Sequence, residues 1–216
     1  MFWELIGAEA EAALRGRAAR RTFARGDALM HAGQVPHDVL VLTAGRVKVS
    51  ARSATGRPLL LAFRGPGELV GELSALDERP RAATVVALDA VEALAISHED
   101  FRATLGEHPS MALALLRVLS DRLREADVMR IQLAGYTAMG RVAFCLLELC
   151  ERFGREEAGA LSIELPLSQD ELAGWAGTSL ESVGRSLQSM RRLGWIETRR
   201  RAIRVLDREA LRRASA

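Results

Sequence analysis

The sequence predicts an α+β fold that consists of a small antiparallel β-roll (a jelly roll), a long helix and a winged helix-turn-helix. Short apolar segments separated by glycine or proline turns occupy the first half of the chain, which is typical of a small barrel. Helical periodicity follows, and the order strand, helix, turn, helix, strand, strand ends the chain. The expected segments are the β-roll over 1–108, the long helix with a hinge over 109–136, and the winged helix-turn-helix over 137–216.

Composition restricts the class of protein before any motif is considered. Apolar residues make up 49% of the 216 residues, but no apolar run reaches the ~18 residues that span a bilayer, and no secretory signal is visible. We therefore expect a cytoplasmic protein without a membrane partner. Cys145 and Cys150 are predicted to be buried in one helix, and the scattered histidines form no ligand cluster, so no metal site is expected. No catalytic motif is present, which argues against an enzyme.

The apolar segments of the first half are short, and turn residues separate them. Gly45 and the Gly65-Pro66-Gly67 sequence are two of these turns. The predicted strands are Val39–Leu42, Val47–Ala51, Leu59–Phe63, Val85–Ala87 and Val91–Ile96.

One segment between these strands combines a carboxylate with a guanidinium. Gly71-Glu72-Leu73 is followed, after seven residues, by Arg81-Ala82-Ala83-Thr84. An arginine and backbone N–H groups beside small side chains can bind an anionic phosphodiester. A glutamate can accept hydrogen bonds from vicinal sugar hydroxyls. The alternative is a surface ion pair between Glu72 and Arg81.

This segment resembles the phosphate-binding cassette of cyclic-nucleotide-binding domains. The resemblance implies a loop between two strands of the β-roll, with Glu72 on the ribose 2′-OH and Arg81 on the cyclic phosphate. Cyclic AMP is the expected effector, ahead of cyclic GMP. The expected ligand-binding residues of the segment are Gly71, Glu72, Leu73, Arg81, Ala82 and Ala83.

A long helix is predicted to begin near Pro109, which suits the first position of a helix. Its pattern predicts a parallel homodimer, because residues at alternating spacings of three and four form a heptad seam. The alternative is a single amphipathic helix that packs on its own barrel. The seam residues are Leu116, Leu119, Leu123, Ala126, Arg130 and Leu133.

Asp127 lies beside this seam, where the resembled family approaches the nucleotide base with polar side chains. Ala126 and Asp127 occupy positions at which the cyclic-AMP-receptor branch has threonine and serine. A carboxylate can accept a hydrogen bond from the N6 amine of adenine or from N1–H and N2 of guanine, so the base stays open. The alternative for Asp127 is an ion pair within the helix, with Arg124 or Arg130.

Two glycines interrupt the helical pattern over 134–140, which predicts a hinge, and a further helix is predicted over 141–153. Ser168 and Glu171 have the spacing of a capping box that opens the next helix. Gly177 turns the chain into a second helix that begins after Thr178 or Ser179. The segment 193–206 completes a wing.

The second helix, over 179–185, resembles the recognition helix of the Crp/Fnr family of bacterial transcription regulators. Arg185 can reach guanine O6 and N7 while Glu181, one helical turn away, accepts from a cytosine amine. The resemblance implies that this pair reads a G·C pair in a TGA-like core. Leu180 is apolar, as in the Fnr branch, and cannot donate a hydrogen bond to a base. The base sequence of the outer part of the DNA half-site therefore stays open. The alternative for Glu181 and Arg185 is a solvent-exposed ion pair between two side chains one turn apart on the helix.

The basic excess of the chain is concentrated near its carboxyl end, where residues 181–216 contain ten arginines and four acidic residues. Such an excess is typical of a nucleic-acid surface. Serines at helix starts are expected to contact phosphates and to set register without reading bases. The expected backbone contacts are Ser168, Gln169, Ser179, Ser182, Arg199, Arg200 and Arg201. The alternative for the three arginines is a solvated turn.

These segments together predict a homodimeric transcription regulator that responds to a cyclic nucleotide. Its expected partners are a palindromic promoter site in double-stranded DNA and RNA polymerase. One alternative is a regulator of the same architecture that senses another ligand or none. A second alternative, from a different class, is a cyclic-nucleotide-binding module without DNA binding.

Overall fold

The computed structural model describes residues 2–53, 56–157, 160–164, 167–199 and 202–215. The described residues form two compact units. The first comprises those of 1–51 and 61–125, and the second comprises those of 52–60 and 126–216.

The predicted strands of the first half are confirmed, and the structure adds short elements around them. In chain order the elements are α1 (Phe2–Ile6), α2 (Ala8–Arg17), β1 (Ala19–Phe23), β2 (Ala28–Met30), β3 (Asp38–Ala44), β4 (Val47–Arg52), β5 (Pro58–Arg64), β6 (Leu69–Val70), α3 (Glu72–Asp77), β7 (Thr84–Ala87), β8 (Val91–Ser97), α4 (His98–Glu107) and α5 (Pro109–Gly135). Strand β1 lacks a predictive pattern because nearly all of its residues are exposed.

Two four-stranded sheets form the β-roll, with the orders β1-β8-β3-β6 and β2-β7-β4-β5. Strand β3 is buried on both faces, because successive side chains of a strand point to opposite sides. Leu40 and Leu42 enter a core that contains residues of both sheets. Val39 and Val41 enter a second core, which is covered by helices.

Helices α1, α2, α4 and α5 supply the outer cover of this second core. Phe2, Leu14, Phe101 and Met111 are almost fully buried there against the β-roll. Ser97 caps α4, because its hydroxyl accepts a hydrogen bond from the Asp100 backbone N–H at 3.0 Å. The two amino-terminal helices were not predicted from the sequence.

The second unit contains the predicted helix-turn-helix and its wing. Its elements after α5 are α6 (Ala138–Phe153), β9 (Arg155–Glu157), β10 (Ala160–Glu164), α7 (Gln169–Trp175), α8 (Leu180–Arg192), β11 (Ile196–Arg199), β12 (Ala202–Val205) and α9 (Arg208–Ala214). The sheet has the order β11-β12-β10-β9. The predicted burial of Cys145 and Cys150 in α6 is confirmed.

The interruption between α5 and α6 is narrower than the predicted hinge. Helix α5 continues to Gly135, and α6 begins at Ala138 after a cap in which Thr137 accepts from the Gly140 backbone N–H at 3.1 Å. Gly140 is therefore helical. A Cβ at this position would lie 2.5 Å from the Ala214 carbonyl oxygen, so close packing, not flexibility, requires glycine.

None of the helices in the described part of the chain is long and apolar enough to cross a membrane. In the same residues, no three His, Cys, Asp or Glu side chains come together in a way that could hold a metal ion.

Candidate ligand site and nucleic-acid interface

Gly71 lies where the two parts of the cassette, residues 71–73 and 81–84, come together. Its φ of 88° lies in the left-handed region, which glycine adopts without strain, and it precedes α3 directly. A Cβ at this position would overlap Nη1 of Arg81 and would approach Cε of Met30 to 2.7 Å. Glycine is therefore needed here both for backbone conformation and for the space that the Arg81 guanidinium occupies.

Arg81 is a buried cation whose guanidinium is held from one side. The residue is only 6% exposed. Its Nη1 donates to the Gly71 carbonyl oxygen at 2.9 Å, and its Nη2 donates to the Asp38 carbonyl oxygen at 2.5 Å and to Asp38 Oδ1 at 3.1 Å. Burial lowers the pKa of Arg81, and the Asp38 carboxylate opposes this shift. Because an arginine keeps its charge in proteins, the site is cationic.

Glu72 is also buried, and its partner lies on α5 rather than in the cassette. The residue is 3% exposed, and its Oε1 accepts a hydrogen bond from Arg122 Nη1 at 2.5 Å. Arg122 Nη2 donates to the Leu69 carbonyl oxygen at 2.7 Å. The alternative of a surface ion pair between Glu72 and Arg81 is wrong, because each residue is buried with a different partner.

A second ionic cluster joins the β-roll to α5. Arg64 is 8% exposed, and its Nε lies 3.4 Å from Glu68 Oε1, while its Nη1 lies 3.7 Å from Glu125 Oε2. Burial lowers the pKa of Arg64, and the nearby Arg122 charge lowers it further. The charges on this face of α5 therefore interact with both acidic and basic groups of the first unit.

The rest of the cassette departs from the predicted loop. Residues 72–77 form α3, so the loop prediction is wrong for that part and holds for 78–83. Leu73 is 50% exposed, Ala82 is exposed and Ala83 is half-buried. The small side chains at 82 and 83 leave the backbone beside Arg81 open to an approaching anion.

Ala126 and Asp127 lie in the second unit and are exposed on α5. Asp127 Oδ1 is 3.5 Å from Arg130 Nη1, which is one of the two alternatives considered for this residue. The contact is long and its side chains are exposed, so it contributes little.

Helix α5 buries one face in its own unit and leaves a second apolar face exposed. Met111, Ala114 and Leu115 are in the core, and Leu119 packs partly against it. The exposed fractions of two seam residues, Leu116 and Leu123, are 60% and 61%. Two further seam residues, Ala126 and Arg130, are exposed, and the side chain of Leu133 lies outside the described residues.

The helix-turn-helix begins with the predicted capping box. Ser168 Oγ accepts from the Glu171 backbone N–H at 3.1 Å, and Glu171 Oε2 accepts from the Ser168 backbone N–H at 2.9 Å. Ser179 caps α8 by accepting from the Ser182 backbone N–H at 3.1 Å. Gln169 is the first residue of α7 and is exposed.

The predicted base-reading pair is exposed on the first turns of α8. Arg185 Nη1 donates to Glu181 Oε1 at 2.5 Å, and the exposed side-chain fractions are 65% and 76%. Arg185 Nη2 also donates to Ser182 Oγ at 3.2 Å. Leu180 is 49% exposed at the start of the helix. The guanidinium is thus braced on one helix face while its remaining donors face solvent.

Arg199 is exposed at the end of β11, within the wing. Arg200 and Arg201, which were predicted to contact the nucleic-acid backbone, lie outside the described residues.

Sequence reasoning missed Asp38, Arg64 and Arg122. Asp38 lies 43 positions from Arg81, and Arg122 lies 50 positions from Glu72. No short motif contains either pair, so no local signal could identify these partners.

Two family models match the two segments that contain these residues. Residues 20–108 match the family model for a cyclic nucleotide-binding domain, and residues 140–214 match the model for a Crp-like helix-turn-helix domain. The chain is similar to a CRP-like cAMP-activated global transcriptional regulator of Mycobacterium tuberculosis, with 34% identity over 88% of this chain and 85% of the relative. It is 36% identical to a cyclic AMP receptor protein of Thermus thermophilus, over 79% of this chain and 76% of that protein.

A solved structure supports the same relationship. The crystal structure of the Thermus thermophilus catabolite activator protein superimposes with a TM-score of 0.56 and 29% identity, and the match covers 99% of this chain and 97% of that chain.

Proposed function

This chain belongs to the Crp/Fnr family of transcription regulators, with a cyclic-nucleotide-binding domain and a DNA-binding helix-turn-helix domain, and we propose that it is a homodimer controlled by cyclic AMP. In this proposal the dimer binds a palindromic promoter site with a TGA-like core and acts on RNA polymerase. The observation that supports a cyclic nucleotide as the ligand is the buried Arg81 guanidinium, which lies beside an open backbone segment and a buried Glu72.

Arg81 is suited to receive a cyclic phosphate. A guanidinium has five N–H donors, and Arg81 uses two of its nitrogens, Nη1 and Nη2, on protein oxygens. Its Nε–H has no acceptor among the described residues and is free for a phosphate oxygen. Backbone N–H groups at Ala82 and Ala83 supply further donors, as anion sites commonly do.

Glu72 is suited to receive the ribose, and it links the ligand to the dimer helix. Its carboxylate accepts from Arg122 through one oxygen, which leaves lone pairs for a 2′-hydroxyl. A ribose bound to Glu72 therefore competes for the carboxylate that accepts from Arg122, and Arg122 connects α5 to β6 through the Leu69 carbonyl oxygen. If α5 has two arrangements in the dimer, the ligand shifts the equilibrium between them only by the difference in its affinity for each.

The exposed apolar face of α5 is the proposed dimer contact. Leu116 and Leu123 are seven residues apart on one side of the helix, as a heptad seam requires, and both are more than half exposed. A second copy of the helix would cover this face.

In the proposed complex with DNA, α8 enters the major groove. Arg185 reads guanine O6 and N7 while Glu181 braces it and accepts from a cytosine amine. Ser168, Gln169, Ser179, Ser182 and Arg199 contact phosphates. The match to a Crp-like helix-turn-helix domain argues against a nucleotide-binding module without DNA binding.

Cyclic AMP is favoured over cyclic GMP because two similar relatives are named for cyclic AMP. Ala126 and Asp127 are the proposed contacts to the base, from the dimer helix. A carboxylate at 127 can accept from the adenine amine.

Calorimetric titration of nucleotide-free protein with cyclic AMP, and separately with cyclic GMP, tests the sensor. Tighter binding of cyclic AMP supports the proposal, whereas tighter binding of cyclic GMP reassigns the effector. Arg81→Gln should abolish binding, because glutamine cannot supply the positive charge. Arg79→Gln is the matched control, since Arg79 has an 82% exposed side chain in the same segment and should bind nucleotide normally.

A second candidate is a regulator of the same architecture that needs no cyclic nucleotide. The observation that favours it is that Asp38 already neutralises Arg81 without a ligand. Fluorescence anisotropy of a labelled duplex with two TGA-like half-sites separates the two candidates. An affinity for DNA that is equal with and without cyclic AMP favours the nucleotide-independent regulator.

A further inference from the structure

Asp38 contacts two arginines at the first residue of β3. Its Oδ1 lies 3.1 Å from Arg81 Nη2, and its Oδ2 lies 2.5 Å from Arg21 Nη1. The Asp38 side chain is 15% exposed, while that of Arg21 is 52% exposed. One carboxylate thus bridges a buried cation and a solvated cation.

Backbone oxygens, and not this carboxylate alone, fix the orientation of Arg81. Two backbone carbonyl oxygens, of Gly71 and of Asp38 itself, accept from Nη1 and Nη2. Main-chain atoms hold their positions when a side chain is replaced, so they would keep the guanidinium in place. The carboxylate therefore contributes mainly negative charge at a buried cation, whose ion-pair partner among the described residues is Asp38, while the more distant Glu72 carboxylate adds a weaker favourable charge.

We propose that Asp38 is the internal counter-ion of Arg81, that a cyclic phosphate competes with it, and that Asp38 thereby limits the affinity of the site for its ligand. This inference rests on the proposed function of Arg81 as the phosphate-binding cation. Two anions on one guanidinium repel each other, so the free energy of binding includes the loss of part of the Asp38 contact. Arg21 is placed to keep the Asp38 carboxylate paired when the ligand takes over Arg81.

Asp38→Asn tests the proposal because it removes the charge and keeps an oxygen acceptor of the same size. The variant should bind cyclic AMP about tenfold more tightly in calorimetric titration, since the phosphate then no longer competes with a directly paired carboxylate. Its melting temperature without ligand should fall, and cyclic AMP should raise it by more than in the unchanged protein. Glu9→Gln is the control, because Glu9 is an exposed carboxylate on α2 of the same unit.

Arg21→Gln provides a test of opposite sign, which a general loss of stability would not produce. Among the described residues Asp38 then has Arg81 as its remaining ion-pair partner, so cyclic AMP should bind about threefold more weakly. Arg21→Gln also tests the counter-ion role of Asp38 if Asp38→Asn does not fold, because Arg21 is half exposed and its loss opens no cavity in the core. Equal or weaker binding by Asp38→Asn, or equal or tighter binding by Arg21→Gln, overturns the proposal.

A failure of the proposed function gives a different result. If the unchanged protein binds neither cyclic AMP nor cyclic GMP, the cyclic-nucleotide assignment fails, and inorganic phosphate becomes the probe of the same cation. The counter-ion role then predicts that phosphate, at equal ionic strength in chloride, raises the melting temperature of Asp38→Asn more than that of the unchanged protein. Equal shifts in the two proteins overturn it.

Discussion

Replacement of Arg122 by methionine should expose how strongly Glu72 depends on its partner. The Glu72 side chain is 4% exposed, and Arg122 Nη1 lies 2.5 Å from its Oε1. Methionine keeps an apolar stem and removes the charge. Opposite charges about 4 Å apart interact by about 4 kcal/mol at an effective dielectric constant near 20. Removal of one partner of a buried pair costs about 3–5 kcal/mol. The free energy of unfolding of the first unit should therefore fall by about 3–4 kcal/mol.

A double-mutant cycle separates the lost pair from the charge that remains. Glu72→Gln combined with Arg122→Met should cost less than Arg122→Met alone, by about 1.5–3 kcal/mol, because no uncompensated carboxylate stays buried. Hydrogen exchange read by mass spectrometry measures the cost in the first unit alone, on peptides from β6 and the buried face of α5.

Arg124→Met is the matched control for this cycle. Arg124 is an exposed arginine two positions further along α5, and its loss should change the opening free energy by less than about 0.5 kcal/mol. If Arg122→Met and the double variant lose the same free energy, Glu72 does not need Arg122, and the coupling of the ribose site to α5 through this pair is refuted.

Three further substitutions and one alkylation experiment test other parts of the molecule. Arg185→Ala should reduce the free energy of DNA binding by about 1–3 kcal/mol, and only for duplexes that keep the base pair it reads, in a series of substituted duplexes. A uniform loss over all duplexes would make Arg185 a phosphate contact. Leu123→Glu places a charge on the exposed face of α5 and should weaken the dimer about tenfold or more in sedimentation velocity, whereas an unchanged dimer moves the interface elsewhere. Gly140→Ala should lower the free energy of unfolding of the second unit by about 1–3 kcal/mol, because its Cβ would lie 2.5 Å from the Ala214 carbonyl oxygen; an unchanged urea midpoint contradicts this. Burial raises the pKa of Cys150 to about 11, so its thiolate fraction at pH 8 is about a hundredfold below that of an ordinary thiol, and its alkylation should accelerate about tenfold per pH unit up to that value. Rapid alkylation at pH 8 in the folded protein would place Cys150 outside the core.

The cassette illustrates how far sequence reasoning reached. Gly71, Glu72 and Arg81 lie within eleven consecutive residues, so their order and spacing carried the prediction of an anion site. The same reasoning missed α3, because a helix of six residues has too few turns to show periodicity. It also missed the partners on β3 and α5, which determine how each charged group is held.

Helix α5 illustrates a different limit. Leucines recur on more than one side of this helix, and periodicity alone cannot tell which side packs in the same chain. The structure buries Met111 and Leu115 and leaves Leu116 and Leu123 exposed. The heptad pattern remains a prediction of a dimer.

The sequence by itself determined the features that depend on near neighbours in the chain: five strands of the first half, the capping box of Ser168 and Glu171, the pair of Glu181 and Arg185, and the order of the cassette residues. These depend on backbone geometry within a turn or two, which spacing and residue type specify. Only the tertiary structure decided that Arg81 has Asp38 as a counter-ion and Glu72 has Arg122. The first contact joins β3 to the cassette across 43 residues, and the second joins the cassette to α5 across 50 residues. Over such separations many chain paths are compatible with the same local pattern.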